Sequence, residues 1–184
     1  MSIKYAMLGF LSWQSLTGYD LKKLFEDSAV FHWSGNNNQI YKALVELHND
    51  DLVTLEVQQQ EDAPPRKIYT ITDKGRAALR EWVLSEPELP QLKHGFFVQL
   101  AWADQLSDDE LKDLLRRYEA EIQIEMQMFR ERKARKKGSP QRSARERFLW
   151  DAIMDNWIGF YEHELKWISS IRQGLDALQN ESEE

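Results

Sequence analysis

Apolar positions follow a helical spacing over most of this chain and alternate in only one short region. Residues 3–13 are largely apolar and predict a first helix, interrupted after Trp13 by Gln14, Ser15, Leu16, Thr17 and Gly18. A second helix begins near Thr17, with Leu21, Leu24 and Phe25 on one face and Lys22 and Lys23 turned outward. The turn Ser34-Gly35-Asn36-Asn37 leads into a third helix over residues 39–47, where Ile40, Leu44 and Leu47 recur at four and three residues. Asn49, Asp50 and Asp51 end it. Residues 52–57 then read as a strand, and residues 67–72 as its return, with Ile68, Tyr69, Thr70 and Ile71 suited to a half-buried sheet. The two pair as a hairpin whose tip holds Pro64 and Pro65, where no ladder bond is needed. Thr72 or Asp73 caps a fourth helix carrying Ala77, Ala78, Leu79 and Trp82, which ends before Pro87.

Ser85-Glu86-Pro87-Glu88-Leu89-Pro90 has the composition of a linker, which divides the chain into residues 1–86 and 87–184. Everything beyond it is helical. A short helix holds Phe96, Phe97, Leu100, Ala101 and Trp102. Ser107 and Glu110 then form a capping box. The helix they open runs to about residue 137, with Leu111, Leu115, Tyr118, Ile122 and Phe129 close to a three-four repeat, and Gly138-Ser139-Pro140 breaks it. Ser143 opens a last long helix bearing Trp150, Ile153, Trp157, Phe160, Trp167, Ile168, Ile171, Leu175 and Leu178, with a frayed tail over residues 180–184. Two helices of roughly 30 residues would each span about 45 Å. An apolar seam of that length exceeds what one small domain buries, so a homodimer is expected. The predicted architecture is mainly α with a small β-hairpin wing: an N-terminal winged helix-turn-helix followed by a helical C-terminal dimerisation domain.

Composition narrows the chemistry. The 184 residues contain no cysteine, which excludes disulfides, a thiolate nucleophile and any cysteine-held metal. The longest apolar runs fall far short of a membrane span and the N-terminus lacks the order of a signal peptide, so the expected location is the cytoplasm. No Ser-His-Asp or paired-carboxylate constellation, Gly-rich phosphate loop or metal-spaced histidine pair stands out. The chain therefore reads as a non-enzyme without a cofactor. Its net charge of −7 argues against nucleic acid, and residues 1–85 carry nine basic against eleven acidic side chains. What decides is the local potential of the face presented.

That face is specific in its residues. In a helix-turn-helix the second helix enters the major groove. Here its start exposes Asn36, Asn37, Asn38 and Gln39, types that pair with adenine, followed by Tyr41 and Lys42, types that grip phosphate. Asn36 and Asn37 read equally well as turn and cap residues. Arg66 and Lys67 stand at the wing, and Lys22 and Lys23 on the helix before; singly, each reads as a solvated cation. His94, Phe97, Trp102, Trp150 and Trp157 are candidates for a pocket that takes a flat effector, with Trp167 and His163 as further candidates. Tryptophan at helical spacing reads more readily as core or dimer interface. Residues 130–147 hold nine basic and two acidic side chains, read as a solvated helix end and connection rather than a nucleic-acid patch.

Tyr5 to Leu11 followed by Thr17-Gly18-Tyr19-Asp20-Leu21, then Gln39-Ile40-Tyr41-Lys42-Ala43-Leu44 and residues 66–76 (Arg-Lys-Ile-Tyr-Thr-Ile-Thr-Asp-Lys-Gly-Arg), resemble the PadR-like transcriptional regulators. The second half is similar, more loosely, to the virulence-activator branch of that family. The resemblance implies a winged-helix domain and a helical domain that forms a homodimer. It also implies repression more often than activation, and response to small aromatic or hydrophobic effectors. It places Gln39, Tyr41 and Lys42 on the recognition helix and Arg66 and Lys67 on the wing. The chain departs at Asp51, where a glycine usually follows that helix; aspartate tolerates the left-handed backbone better than most residues. The expectation is a homodimer on an inverted repeat of double-stranded DNA. The alternative is a helical interaction module whose winged domain binds protein.

Overall fold

The computed structural model describes residues 3–28, 37–60, 65–89, 94–135, 140 and 142–182. The Ser34-Gly35-Asn36 turn, Pro64, and the Gly138-Ser139 part of the predicted break lie outside them. The chain forms two compact units, residues 1–88 with 137–143, and residues 89–136 with 144–184. No helix among the described residues is long and apolar enough to cross a membrane.

In the first unit the helices are α1 (Ile3–Leu11), α2 (Gly18–Asp27), α3 (Asn37–Asn49) and α4 (Asp73–Leu84). The strands are β1 (Leu16–Thr17), β2 (Val53–Gln58) and β3 (Arg66–Ile71). Its core draws Met7, Leu8, Phe10 and Leu11 from α1, Leu21 and Phe25 from α2, and Ile40, Ala43, Leu44 and Leu47 from α3. Val53, Tyr69 and Ile71 close it from the sheet. β2 and β3 pair antiparallel from Val53 with Ile71 to Gln58 with Arg66, each strand one residue off the predicted span. β1 was not predicted. Leu16 and Thr17 pair with Tyr69 and Ile68 on the other edge of β3, making a three-stranded sheet in the order β1-β3-β2. Two residues carry no period to read; the free edge of β3 makes them a strand.

The helix ends are set by local hydrogen bonds. Thr17 and Asp20 form a reciprocal capping box at α2. Asp51 has φ 59°, so it takes the left-handed conformation that the sequence asks of it. Its N–H donates to the His48 carbonyl and the Leu52 N–H to that of Leu47, a Schellman closure of α3. Of the two candidates for the cap of α4, Thr72 is used: its Oγ1 accepts from the Gly75 N–H at 3.0 Å and donates to the Asp51 carbonyl at 2.8 Å.

The second unit holds α5 (Gly95–Ala101), a 3-10 turn over Ala103–Gln105, α6 (Asp108–Arg135) and α7 (Ala144–Ser182). At 39 residues α7 exceeds the predicted length, and the helix continues to Ser182 through much of the tail expected to fray. α6 and α7 run antiparallel, since Gln179 reaches Asp108 near one end and Lys133 pairs with Asp155 toward the other. Leu115, Ile122 and Phe129 are buried at seven-residue intervals on α6, as are Met154, Tyr161 and Ile168 on α7. That period is the seam of a left-handed helix pair. Ile124, Met128, Phe148, Leu149 and Ile153 remain exposed.

Candidate nucleic-acid interface

The first unit contains a cleft of about 710 Å³ between the start of α2, the outer face of α3 and the loop end of the wing. Thr17, Gly18, Tyr19 and Asp20 form one wall, Tyr41 and Val45 another, and Gln60, Pro65, Arg66, Lys67 and Tyr69 the third. The helices approach closely because residue 18 is glycine: a Cβ there would stand 2.7 Å from Cε1 of Tyr41. Burial raises the Tyr69 phenol above its ordinary pKa and nearby Tyr41 adds to the shift, so the Tyr69 hydroxyl remains a neutral hydrogen-bonding group. Tyr41 and Val45, one turn apart on α3, are each more than half exposed in this cleft.

Of the residues expected to meet nucleic acid, the cleft gathers Tyr41, Arg66 and Lys67. Asn38, Gln39 and Lys42 are exposed on α3 but do not line it. Asn37 opens α3, and its side chain lies outside the described residues. Lys22 and Lys23 lie on α2 beyond the cleft, and Lys22 pairs with Glu26 at 3.6 Å. Sequence reasoning missed Tyr19, Asp20, Val45 and Gln60. Val45 was legible, since it follows Tyr41 by four residues and shares its outward face; Gln60 could be placed only by the fold of the hairpin.

Asp20 is the anion in this cleft. Its Oδ2 accepts from the Thr17 N–H at 3.0 Å and the Thr17 hydroxyl at 2.7 Å, and lies 3.6 Å from Nη2 of Arg66. Burial alone would raise its pKa, but the Thr17 hydrogen bonds and the Arg66 charge outweigh that and hold it below the ordinary carboxylate value. Among the described residues of the basic stretch, Arg130 pairs with Glu162, Lys133 with Asp155, and Arg135 with Glu131. Arg142 donates to the Ser12 carbonyl and lies over the Trp13 ring.

In the second unit the effector candidates separate. His94 stacks on Phe97 with centroids 4.0 Å apart, and Phe97 meets Trp167 edge-on. Trp157 packs on Phe129 and Phe160, ten residues or about 15 Å along α7 from Trp167. Partly buried Trp150 lies a further seven residues toward the start of that helix. Trp102 lines a separate open cleft with Gln99, Leu106 and Leu114, and His163 is exposed. The structure adds two groups that the sequence did not single out for a pocket. The Tyr118 hydroxyl donates to Glu164 at 2.6 Å and sits 3.1 Å from His94 Nε2, which is itself 3.4 Å from the Glu164 carboxylate. Glu164 is only 4% exposed, so this bond satisfies a buried carboxyl oxygen. Burial first, then Glu164, pushes the Tyr118 phenol far above its ordinary value. Tyr118→Phe keeps the ring stacked on Phe96 but removes the donor. It is expected to cost about 1.5–3 kcal/mol in denaturant unfolding; a variant as stable as the parent would show that Glu164 does not depend on Tyr118.

Comparison with known proteins agrees with the fold. Residues 7–81 match the model of the transcriptional regulator PadR-like family, and residues 92–176 match that of the virulence activator alpha C-terminal region. The negative transcriptional regulator PadR of Bacillus subtilis is 31% identical over 115 residues, a match spanning 62% of this chain and 63% of that relative's length. The crystal structure of Bacillus subtilis PadR with operator DNA superposes with a TM-score of 0.80 at 25% identity, covering 92% of this chain and 96% of that one. The same protein with p-coumaric acid gives 0.77 at 23% identity, covering 95% and 98%. Residues 7–81 are thus PadR-like, residues 92–176 are similar to the virulence activator C-terminal region, and the chain shares the fold of Bacillus subtilis PadR.

Proposed function

We propose that this protein is a cytoplasmic transcriptional regulator that binds duplex DNA as a homodimer, represses from an inverted-repeat operator and is released by a small aromatic effector. The observation that carries the reading is the cleft in which Tyr41 of α3 meets Arg66 and Lys67 of the wing. Residues 1–86 serve DNA, with Lys22, Lys23, Lys42, Arg66 and Lys67 on phosphate and Asn37, Asn38 and Gln39 choosing bases. Residues 87–184 serve dimerisation and the effector. The apolar side chains left exposed on α6 and α7 support a partner subunit. PadR in complex with operator DNA supports the choice of ligand. PadR in complex with p-coumaric acid supports an aromatic effector, for which His94 and Phe97 supply an imidazole and a ring face. The effector acts by changing the separation of the two recognition helices.

Selection of bound duplexes from a random-sequence pool by the purified protein tests this reading. An enriched inverted repeat, with half-site centres about 34 Å or a multiple apart, is the expected result. Absence of enrichment, with retention of a protein partner instead, would favour the interaction module that the acidic balance of residues 1–85 allows.

A further inference from the structure

We propose that Asp20 is a built-in counter-charge for Arg66, so that DNA binding is an exchange of this wing cation from a protein carboxylate to a DNA phosphate. The inference rests on the DNA-binding reading and adds an internal regulator of affinity to the same cleft. Four features argue for it. Asp20 lines the cleft beside Arg66 and Lys67, where a phosphate would approach. Its carboxylate is the fixed partner, because swinging away would break both bonds from Thr17. Thr17 is itself tied into the sheet opposite Ile68, two residues beyond Arg66. Arg66 is the movable partner, a long side chain 52% exposed and joined by one contact of 3.6 Å. A guanidinium can meet phosphate through two parallel N–H bonds, a stronger arrangement than that single contact. The capping box alone would explain the Thr17 bonds but leaves the approach of Arg66 without a role.

The charge and the cap can be separated. Asp20→Asn retains an oxygen that accepts from Thr17 while removing the negative charge, and an unchanged melting temperature reports an intact α2. Binding is read by fluorescence anisotropy on a mixed-sequence duplex of about 30 base pairs at low salt, where phosphate contacts dominate. D20N is expected to bind about two- to five-fold more tightly than the parent, the range of an exposed ion pair. In an Arg66→Ala background the same substitution is expected to give no gain. A gain that persists without Arg66 would mean general charge relief and would overturn the exchange. Weaker binding by D20N would also overturn it, making Asp20 a positioning residue for Arg66. Failure of the parent protein to bind the duplex at all would sink the DNA reading and this inference together. Parent binding that weakens in R66A, with D20N indifferent, would sink the inference alone.

Discussion

Gly75→Ala is expected to destabilise the first unit by about 3 kcal/mol or more, at the upper end of what overpacking costs. A Cβ at residue 75 would lie 2.1 Å from the Leu52 carbonyl oxygen and 2.9 Å from Cγ1 of Ile71. The first neighbour is backbone and cannot rotate away. Relief requires α4 to withdraw from the α3–β2 turn, which strains two bonds: Thr72 N–H to the Leu52 carbonyl, and Thr72 Oγ1–H to the Asp51 carbonyl. The wing and α4 are joined through this point, so the loss spreads to both. Gly159→Ala is the control of opposite sign. Nothing lies within 4 Å of that Cβ at an exposed position of α7, and stability should rise by up to about 1 kcal/mol. Chemical denaturation of the full chain reads both; a Gly75→Ala protein that unfolds with the parent would refute the packing argument.

On the DNA-binding reading, the double variant Arg66→Ala with Lys67→Ala carries the largest functional effect. Losing two phosphate contacts should weaken binding by about 10- to 100-fold at moderate salt and flatten the log–log salt dependence by roughly two. The loss should be nearly uniform across duplex sequences, because backbone contacts position the protein without choosing bases. Lys74→Ala, which removes a cation paired with Asp51 outside the cleft, should leave the slope unchanged. A double variant with the parental slope would place the phosphate contacts elsewhere on the protein.

Much of the fold was legible because its signals are local. The intervals of Ile40, Leu44 and Leu47, the alternation of residues 68–71, and the box of Ser107 with Glu110 each lie within a few residues, and each corresponds to an element observed. The turn at Asp51 was legible through the family resemblance, since a glycine usually stands there and aspartate tolerates the left-handed backbone. The partners that α7 supplies to the basic stretch were not readable. Glu162 and Asp155 stand 32 and 22 residues from the cations they meet, and only the antiparallel return of α7 brings them across. The cluster of His94, Tyr118 and Glu164 spans 70 residues and three elements, and none of its members sits in a recognisable motif.

The chain's sequence by itself determined the order of helices, the wing and the family resemblance, with the left-handed turn at Asp51 that it implies, because periodicity, capping and motif all act between near neighbours. Tertiary structure alone decided that Leu16 and Thr17 are a strand, that Asp20 faces Arg66, that Gly75 touches the Leu52 carbonyl and that the effector candidates do not gather at one place. Each of these is a meeting of groups far apart in the chain. Such meetings depend on how whole elements pack, and no window of sequence contains both partners.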